Sequence, residues 1–517
     1  MRSLPVLGAI AGWFEDDLFR RLLQNAGWLL SGTVIATALG LGGTVIKARA
    51  LGLQLFGVLA VVTAYVAVVE RLATFQPWLA LIKYGAEALE KKRPDEFMGL
   101  VKMSVALDLL GAISGMGIAI LGAFILASRW GWDSQISHMA AVLGVGILFN
   151  LSGTPTGILR LLDRFRMFTV QKILTAGLGL AGAVVVYIAG YGMWGFLIVT
   201  LVSGIIGNLF LLGAGVVALR QRGLWRHWRA PVTVWKPFLR FSGWTYATST
   251  LDIPIRQLDI LIVSALTCFE VTGIYKMIKQ ICGLLTEMAD PLYQAVYPQF
   301  AAMAVRSVPV RASEEVSSVK LEVSSSDPAL HTSYFHLDTS RETPHGVTTS
   351  RLPARYAVKV GTVIAAVIGP VALMLAVFSP WWLGVVFGGA FAAGWLPLSA
   401  FLMVTVLSVS CIAIHPLFTA LGYVKENALV LLIANAVYLV CAWLLTSAIG
   451  LVGLAVASGV QLALVVGLKA VYIRVRSVPA MASPGVSRAS SPRFEGGTPS
   501  TQETAHGVPP NAAEIRA

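Results

Sequence analysis

The chain has 517 residues, of which 56% are hydrophobic and only 13% are charged, and its mean hydropathy is +0.75. This composition excludes an ordinary soluble domain, which needs more charged residues on its surface. The formal net charge of +13 could indicate nucleic-acid binding, but the Lys and Arg residues lie between apolar segments and form no basic domain. We therefore expect a membrane protein with no nucleic-acid partner.

Apolar segments, taken in chain order, predict an all-α bundle of about twelve membrane-spanning helices. A span needs about 20 apolar residues, and its backbone must satisfy its own hydrogen bonds inside lipid. The predicted spans are residues 27–46, 54–73, 100–127, 137–158, 168–189, 193–219, 241–266, 272–301, 357–379, 395–421, 427–448 and 451–473. The seventh is the least apolar because it contains Asp252, Arg256 and Asp259.

An internal repeat predicts how these spans are arranged. A shift of 216 positions pairs Gly27-Trp28 with Gly243-Trp244, Ile46 with Ile262, and Gly57 with Gly273. Six spans separate the copies, so the halves share one orientation and are related by a pseudo-two-fold axis along the membrane normal. We expect an N-lobe at 27–230 and a C-lobe at 231–305 and 353–475, facing each other across a central cleft.

The loops predict the orientation and the extramembrane segments. Alternate loops are rich in Lys and Arg, whereas the opposite set holds only Lys47, Arg49 and Arg129, so both termini are expected in the cytoplasm. The N-terminal segment 1–26 has no cleavable signal pattern, since Trp13 to Arg21 is polar and charged. The polar composition of 306–352 and 476–517 predicts a disordered cytoplasmic insert and tail, with a regulatory or partner-binding role as the alternative.

The sequence lacks the usual motifs of enzymes and of cofactor or metal sites. It has no phosphate-binding loop, no HExxH and no GxSxG motif, so we expect no catalytic residues, no cofactor and no metal. The cysteines lie in or beside apolar segments without a CxxC or Cys/His pair, and we expect small buried residues; they are Cys268, Cys282, Cys411 and Cys441.

Polar residues in the seventh and eighth spans form the candidate site. Asp252, Arg256 and Asp259 fall on one helical face, and the eighth span carries a stripe of Lys276, Gln280, Gly283, Glu287 and Asp290, with Lys279 beside it. Charges at membrane depth cost roughly 2.5–3.5 kcal/mol each and must meet protein or water. The candidates for binding an anionic substrate are Arg256, Lys276, Lys279 and Gln280. The candidates for ion or proton coupling are Asp252, Asp259, Glu287 and Asp290.

Structural roles are the alternatives for these residues. The seventh span could hold a self-neutralising salt bridge, and Lys276 could extend to the membrane boundary. Single polar residues elsewhere, such as Asn150, Asn208 and His415, are typical of interhelical hydrogen bonds, with a proton relay as the alternative for His415.

Two short motifs resemble a known family. Ala48-Arg49-Ala50-Leu51-Gly52 with Phe56-Gly57 resembles the A-R-x-L-G-x-x-x-(F/Y)-G signature of bacterial polysaccharide biosynthesis and export proteins, the Wzx-like oligosaccharide flippases of the multidrug/oligosaccharidyl-lipid/polysaccharide (MOP) superfamily. Asp259-Ile260-Leu261-Ile262 with Gly273-Ile274-Tyr275 resembles the D-x-L-I and G-x-Y patterns of the same family. The motif residues are Arg49, Gly52, Gly57, Asp259, Gly273 and Tyr275.

The resemblance covers about residues 20 to 475 and implies a multi-pass protein of the bacterial inner membrane. It implies a flippase that moves undecaprenyl-pyrophosphate-linked oligosaccharide for O-antigen, capsule or exopolysaccharide synthesis by alternating access. The implied partners are this lipid-linked substrate, membrane lipid and polysaccharide assembly proteins. An ion-coupled multidrug or metabolite antiporter of the same superfamily is the alternative, ahead of a membrane polymerase or glycosyltransferase.

Overall fold

The computed structural model describes residues 17–130, 132–232, 235–250, 258–306, 351–420 and 423–476. These residues are helices joined by short connections, and no strand occurs among them. They belong to one compact unit that ends at Ser477. The predicted insert, most of the tail, and both Asp252 and Arg256 lie outside the described residues.

The N-lobe comprises the helices before residue 230. These are α1 (Asp17–Ala73), α2 (Pro77–Glu90), α3 (Pro94–Trp130), α4 (Ser134–Val145), α5 (Gly153–Leu161), α6 (Arg166–Ala189) and α7 (Gly192–Gln221). A 3-10 turn, Gly146–Phe149, follows α4, and a second, Leu224–His227, follows α7. Helix α1 contains the first two predicted spans, which are joined at Gly52, where φ is 69°. This conformation favours glycine and accounts for glycine at this motif position.

The C-lobe comprises the helices after residue 234. These are α8 (Trp235–Thr250), α9 (Asp259–Leu266), α10 (Phe269–Arg306), α11 (Arg351–Val377), α12 (Ser379–Phe387), α13 (Trp395–Ser410), α14 (Ile414–Ala420) and α15 (Val424–Arg476). Helix α15 contains the last two predicted spans, with non-helical backbone at Ile449 and Gly450. The seventh predicted span corresponds to α8 and α9, on either side of residues 251–257, which are outside the described part.

The helices confirm a polytopic membrane protein. Within the described residues, seven helices are long and apolar enough to cross a membrane, or eight if the bent pair α11 and α12 counts as one span. Two of the seven, Gly32–Glu90 and Glu426–Arg474, each contain two predicted spans. Large apolar side chains such as Leu121, Ile188 and Leu373 are more than 60% exposed, as expected where lipid is the solvent.

Two predicted spans require correction, and two helices were not predicted. The fourth predicted span is broken at residues 150–152, and the tenth is broken by a turn at 411–413. In both, apolar residues continue through a change in backbone direction, so hydropathy does not mark the change. After the ninth span, which ends near the end of α11, the chain bends by 75° into α12. Neither α12 nor the amphipathic helix α2 was predicted.

The two lobes cross closely at Gly57 and Gly273. A Cβ atom on Gly57 would overlap the carbonyl oxygen of Phe269, and a Cβ on Gly273 would lie 2.6 Å from the carbonyl oxygen of Leu53. Because 53 pairs with 269 and 57 with 273 in the 216-residue shift, these two contacts are pseudo-symmetric. The helix pair α1 and α10 therefore crosses at the pseudo-two-fold axis that the repeat predicts.

The orientation remains a prediction, and reporter fusions can measure it. We expect a reporter inserted at Lys91, between α2 and α3, to be active only in the cytoplasm, because that loop is basic. A reporter at Tyr191, between α6 and α7, should report the exterior. Activity on the same side at both positions would contradict the assignment of α3 to α6 as three successive spans.

Candidate transport site at the lobe interface

A buried ion pair links α9 to α10. The Asp259 carboxylate accepts hydrogen bonds from Lys279 Nζ at 2.7 Å (Oδ1) and 2.6 Å (Oδ2), and another from the Tyr275 hydroxyl. The backbone N–H of Ile260 also donates to Asp259 Oδ1, at 2.8 Å. Asp259 is 2% exposed and Tyr275 is 4% exposed. A carboxylate that accepts four hydrogen bonds from three donor groups at this depth is neutralised and held rigidly, so this cluster joins two helices of the C-lobe.

The ion pair leaves an excess of positive charge beside it. Lys276, half-buried on α10, lies close enough to interact electrostatically with Lys279, Asp259 and, from the other lobe, Lys47. Lys47 Nζ donates to Thr200 Oγ1 at 3.0 Å. In the described part of the chain, Lys276 has neither a hydrogen bond nor an ion pair. Among the described residues, three lysines and one carboxylate therefore give a net charge of about +2 where the lobes meet, and we call this group the lysine cluster (Lys47, Lys276 and Lys279).

The other predicted site residues lie beside this cluster, farther along α10, or outside the described structure. Gln280 is half-buried one turn after Lys276. Glu287 is exposed and accepts a hydrogen bond from the Thr37 hydroxyl across the lobes. One turn earlier on α1, Thr33 accepts a hydrogen bond of 3.0 Å from Lys172 of α6. Asp290 lies on α10, but its side chain is outside the described structure. Asp252 and Arg256 are outside it as well, so the predicted alignment of Asp252, Arg256 and Asp259 on one helical face stays a prediction.

The first-loop motif joins the lobes at the end of α12. Arg49 donates from Nε to the carbonyl of Val386 at 2.7 Å and from Nη2 to the carbonyl of Val385. These are among the last carbonyls of α12, which have no partner within the helix. The motif residues thus have distinct positions: Arg49 caps a C-lobe helix, Gly52 allows a kink, and Gly57 allows a close helix crossing.

Sequence reasoning missed three charged residues inside predicted spans, two of them buried. Asp108, 7% exposed on α3, accepts hydrogen bonds from the Thr154 backbone N–H and hydroxyl at 2.6 and 2.7 Å. Lys469, 1% exposed on α15, lies 3.0 Å from His415 Nδ1. Glu70, half-buried on α1, accepts a hydrogen bond from the Asn150 side chain. A charge inside an apolar segment is the signal that could have found each of them.

The cysteines depart in part from the expectation of burial. All four are free; Cys268 is exposed, and Cys282, Cys411 and Cys441 are half-buried. Within the described residues, no group of three or more His, Cys, Asp or Glu side chains is arranged to hold a metal ion.

Comparisons with known proteins match this architecture. The family model described as polysaccharide biosynthesis protein matches residues 22–304. The inner membrane protein YghQ of Escherichia coli is 31% identical over 242 residues, which cover 47% of this chain and 68% of that protein.

Solved structures of transporters share the fold. An inward-facing multidrug resistance transporter of the MATE family and MOP superfamily has a TM-score of 0.64 at 14% identity, covering 85% of this chain and 94% of its own. A MOP superfamily transporter from Pyrococcus furiosus has a TM-score of 0.57 at 14% identity, and the match covers 88% of this chain and 95% of that one. The Vibrio cholerae MATE transporter VcmN, in mutant form, has a TM-score of 0.54 at 13% identity, and the match covers 88% of this chain and 96% of that one.

These likenesses confirm the predicted two-lobe, twelve-helix architecture and the multi-pass location in the inner membrane. The fold is that of the solved MATE and MOP superfamily transporters. The chain belongs to the polysaccharide biosynthesis protein family.

Proposed function

We propose that this transporter is a flippase that moves an undecaprenyl-pyrophosphate-linked oligosaccharide across the inner membrane by alternating access. The coarser function, transport by a MOP superfamily member, follows from the family and the fold. The observation that carries the finer proposal is the lysine cluster at the lobe interface. Its lysines come from both lobes, and in the described part of the chain Asp259 is the one carboxylate that forms an ion pair with them.

The lysine cluster has the charge that a pyrophosphate group requires. Lys276 has no carboxylate partner among the described residues, and Lys47 donates only to a neutral hydroxyl. Ammonium groups bind phosphate oxygens through charge-assisted hydrogen bonds. Because Lys47 belongs to the N-lobe and Lys276 to the C-lobe, an anion bound between them contacts both lobes. Such a ligand can favour one arrangement of the lobes over another through its different contacts in each.

The lipid-linked substrate explains why a polar path between lobes is needed. A sugar and pyrophosphate head group would have to cross about 30 Å of hydrocarbon, and each unpaired polar group costs several kcal/mol there. A polar interface between lobes removes that cost, while the lipid tail stays in the bilayer. Membrane lipid and the proteins of polysaccharide assembly are the partners that this function implies.

Neutralising the lysine cluster is expected to reduce flipping strongly. For the double variant Lys47→Ala, Lys276→Ala we expect a loss of at least about 100-fold, because two charge-assisted contacts to phosphate are removed at about 1.5–3 kcal/mol each. The protein is reconstituted into liposomes that contain lipid-linked oligosaccharide, and a glycosidase is added outside. The measurement is the rate at which oligosaccharide from the inner leaflet becomes accessible to the glycosidase.

The matched control is Lys91→Ala, which removes an exposed lysine from α2. Its partner Glu87 is 2.5 Å away at the surface, and the pair is far from the lobe interface in sequence and contacts. Wild-type flipping by the double variant would contradict the proposal. Transport of a soluble dye without any flipping would favour the multidrug or metabolite antiporter instead.

A further inference from the structure

The connection between the two lobes, residues 220–240, is rich in arginine and tryptophan. It contains six Lys or Arg residues and three Trp residues, and no acidic residue occurs between Asp163 and Asp252. The cations are Arg220, Arg222, Arg226, Arg229, Lys236 and Arg240, and the tryptophans are Trp225, Trp228 and Trp235. Membrane orientation requires only the positive charge of such a loop. The tryptophans and the positions in which they are held therefore need a further explanation.

The first part of this connection is fixed on the N-lobe. His227 Nδ1 lies 2.9 Å from Asp95 Oδ1, and Lys102 Nζ donates a hydrogen bond to the carbonyl of Ala230. Asp95 and Lys102 are seven residues apart, which places them on one face of α3. Leu224 packs against the apolar core of the N-lobe. The connection is thus held against α3 by contacts at three points along its length.

Aromatic contacts arrange the tryptophans within this connection. The rings of Trp225 and Trp228 are stacked, with centroids 5.0 Å apart and an interplanar angle of 20°. The guanidinium carbon of Arg220 lies 5.3 Å from the centroid of the Trp225 ring. Trp225 is half-buried, whereas Trp228 is 37% exposed and Trp235 is 46% exposed. Exposed indole rings at the end of a span are typical of the interface between membrane and water.

The arginines of the connection are exposed. Those beside the tryptophan pair in sequence are Arg220, Arg222, Arg226 and Arg229. Within the described residues, the guanidinium groups of the last three have neither a hydrogen bond nor an ion pair. Arg164, from the loop after α5, adds a further cation, since its Nη2 donates to Gln221 Oε1 at 2.7 Å. The arginines outnumber the nearby acids, Asp95 and Asp163. We call this group the arginine–tryptophan surface (Arg220, Arg222, Arg226, Arg229, Trp225 and Trp228).

We propose that the arginine–tryptophan surface binds the phosphate groups of anionic phospholipids, such as phosphatidylglycerol, at the membrane surface. The span formed by α7 ends at Gln221, so the residues that follow lie at the level of the lipid head groups. Guanidinium groups bind phosphate oxygens in a bidentate geometry, and anionic lipids attract basic segments beside spans. A nucleic acid or an acidic protein would match the charge alone, whereas a lipid surface matches both the charge and the exposed indole rings.

The consequence concerns how the N-lobe is held in the bilayer. Because the connection is fixed on α3, a phospholipid bound to its arginines is a ligand of the N-lobe and does not bridge the two lobes. It therefore anchors one lobe at a fixed depth while the other moves. This inference depends neither on the lysine cluster nor on the identity of the transported substrate.

Thermal unfolding of the purified full-length protein in nonionic detergent tests the surface, with phosphatidylglycerol as the probe. We expect the melting temperature to rise by roughly a few degrees as phosphatidylglycerol is added at low ionic strength, and to stay unchanged with phosphatidylcholine. The test variant is the triple change Arg222→Gln, Arg226→Gln, Arg229→Gln. One basic residue near an anionic surface strengthens binding by about fivefold, so the half-saturating concentration of phosphatidylglycerol should rise at least about tenfold. Trp228→Ala should raise it as well, which a role in orientation alone would not produce.

Two control variants separate this surface from other positive charges. The triple change Lys91→Gln, Lys92→Gln, Arg93→Gln removes three exposed cations from the loop between α2 and α3, which has no tryptophan. The double change Lys47→Ala, Lys276→Ala removes two cations of the lysine cluster. Both should respond to phosphatidylglycerol like the wild type.

The single change Arg226→Gln serves if the triple arginine variant fails to fold, with an expected rise of about fivefold in the half-saturating concentration. The proposal would be overturned by a wild type that does not respond, by an equal response to phosphatidylcholine, or by an unchanged response in the arginine variants. An equal loss in either control would also overturn it, and equal stabilisation by inorganic phosphate would assign the surface to free anions. A protein that responds as expected but flips no lipid-linked oligosaccharide would contradict the proposed function and leave this surface in place.

Discussion

Adding one methyl group at Gly57 is expected to reduce export at least tenfold while the protein remains in the membrane. In Gly57→Ala the new Cβ would overlap the backbone carbonyl of Phe269, which cannot rotate away as a side chain could. Forcing extra atoms into a packed contact costs roughly 1–3 kcal/mol. This cost destabilises only the conformation in which α1 and α10 are in contact at Gly57. The variant should therefore shift the population toward conformations in which the two lobes are separated at this crossing.

Two measurements together separate this effect from simple unfolding. Export is assayed in cells that depend on this chain, and a cysteine placed at Leu53, in a background without native cysteines, is labelled with a membrane-impermeant maleimide. We expect export to fall and labelling to rise. The controls are Gly177→Ala and Gly213→Ala, since a Cβ at either glycine meets nothing within 4 Å. Wild-type export and labelling in Gly57→Ala would show that the crossing can open and close with a methyl group present.

Replacing Asp259 by asparagine is expected to destabilise the C-lobe by about 3–5 kcal/mol, because it breaks a buried ion pair by removing one partner. The Asp259 side chain is 3% exposed and that of Lys279 is 29% exposed, so the lysine charge would keep only limited contact with water. Tyr275 would also lose a charged acceptor. The amount of monodisperse protein recovered in detergent, and its melting temperature, should both fall.

The double variant Asp259→Asn, Lys279→Met should recover much of this loss, because it removes both charges of the ion pair. The control is Glu87→Gln, which breaks the exposed pair with Lys91 and should change stability by less than about 1 kcal/mol. If the double variant were as unstable as Asp259→Asn alone, the ion pair would not be the cause. Export by a stable double variant would further show that Lys279 serves the fold and not the substrate.

The spans and the repeat could be predicted from sequence because lipid imposes a single requirement on every spanning segment. Gly57 and Gly273 were paired by the 216-residue shift, and their contact in the fold is reciprocal. The break after Asn150 had a local signal, since Ser152, Gly153 and Pro155 follow within five residues. That signal was outweighed by the apolar residues on both sides, which extend the hydropathy pattern across the break.

The candidate site was less predictable because it depends on contacts between helices. Tyr275 and Lys279 are four residues apart and lie on one face of α10, which the sequence alone can show. That this face meets Asp259 of α9 depends on how the two helices pack. Asp108 was overlooked because it lies alone within an apolar span, and Glu70 because only Arg71 accompanies it near the end of one, whereas the charges of the seventh and eighth spans are grouped. A group of charges is conspicuous in sequence, but a single buried charge costs as much free energy.

The contact of Arg49 with the end of α12 also bears on how fast the transporter can work. The two charge-assisted hydrogen bonds to the Val385 and Val386 carbonyls must break whenever the lobes separate here, and such bonds contribute about 1.5–3 kcal/mol each. The contact therefore adds to the activation barrier of lobe separation. It also fixes the register in which the lobes meet at each return.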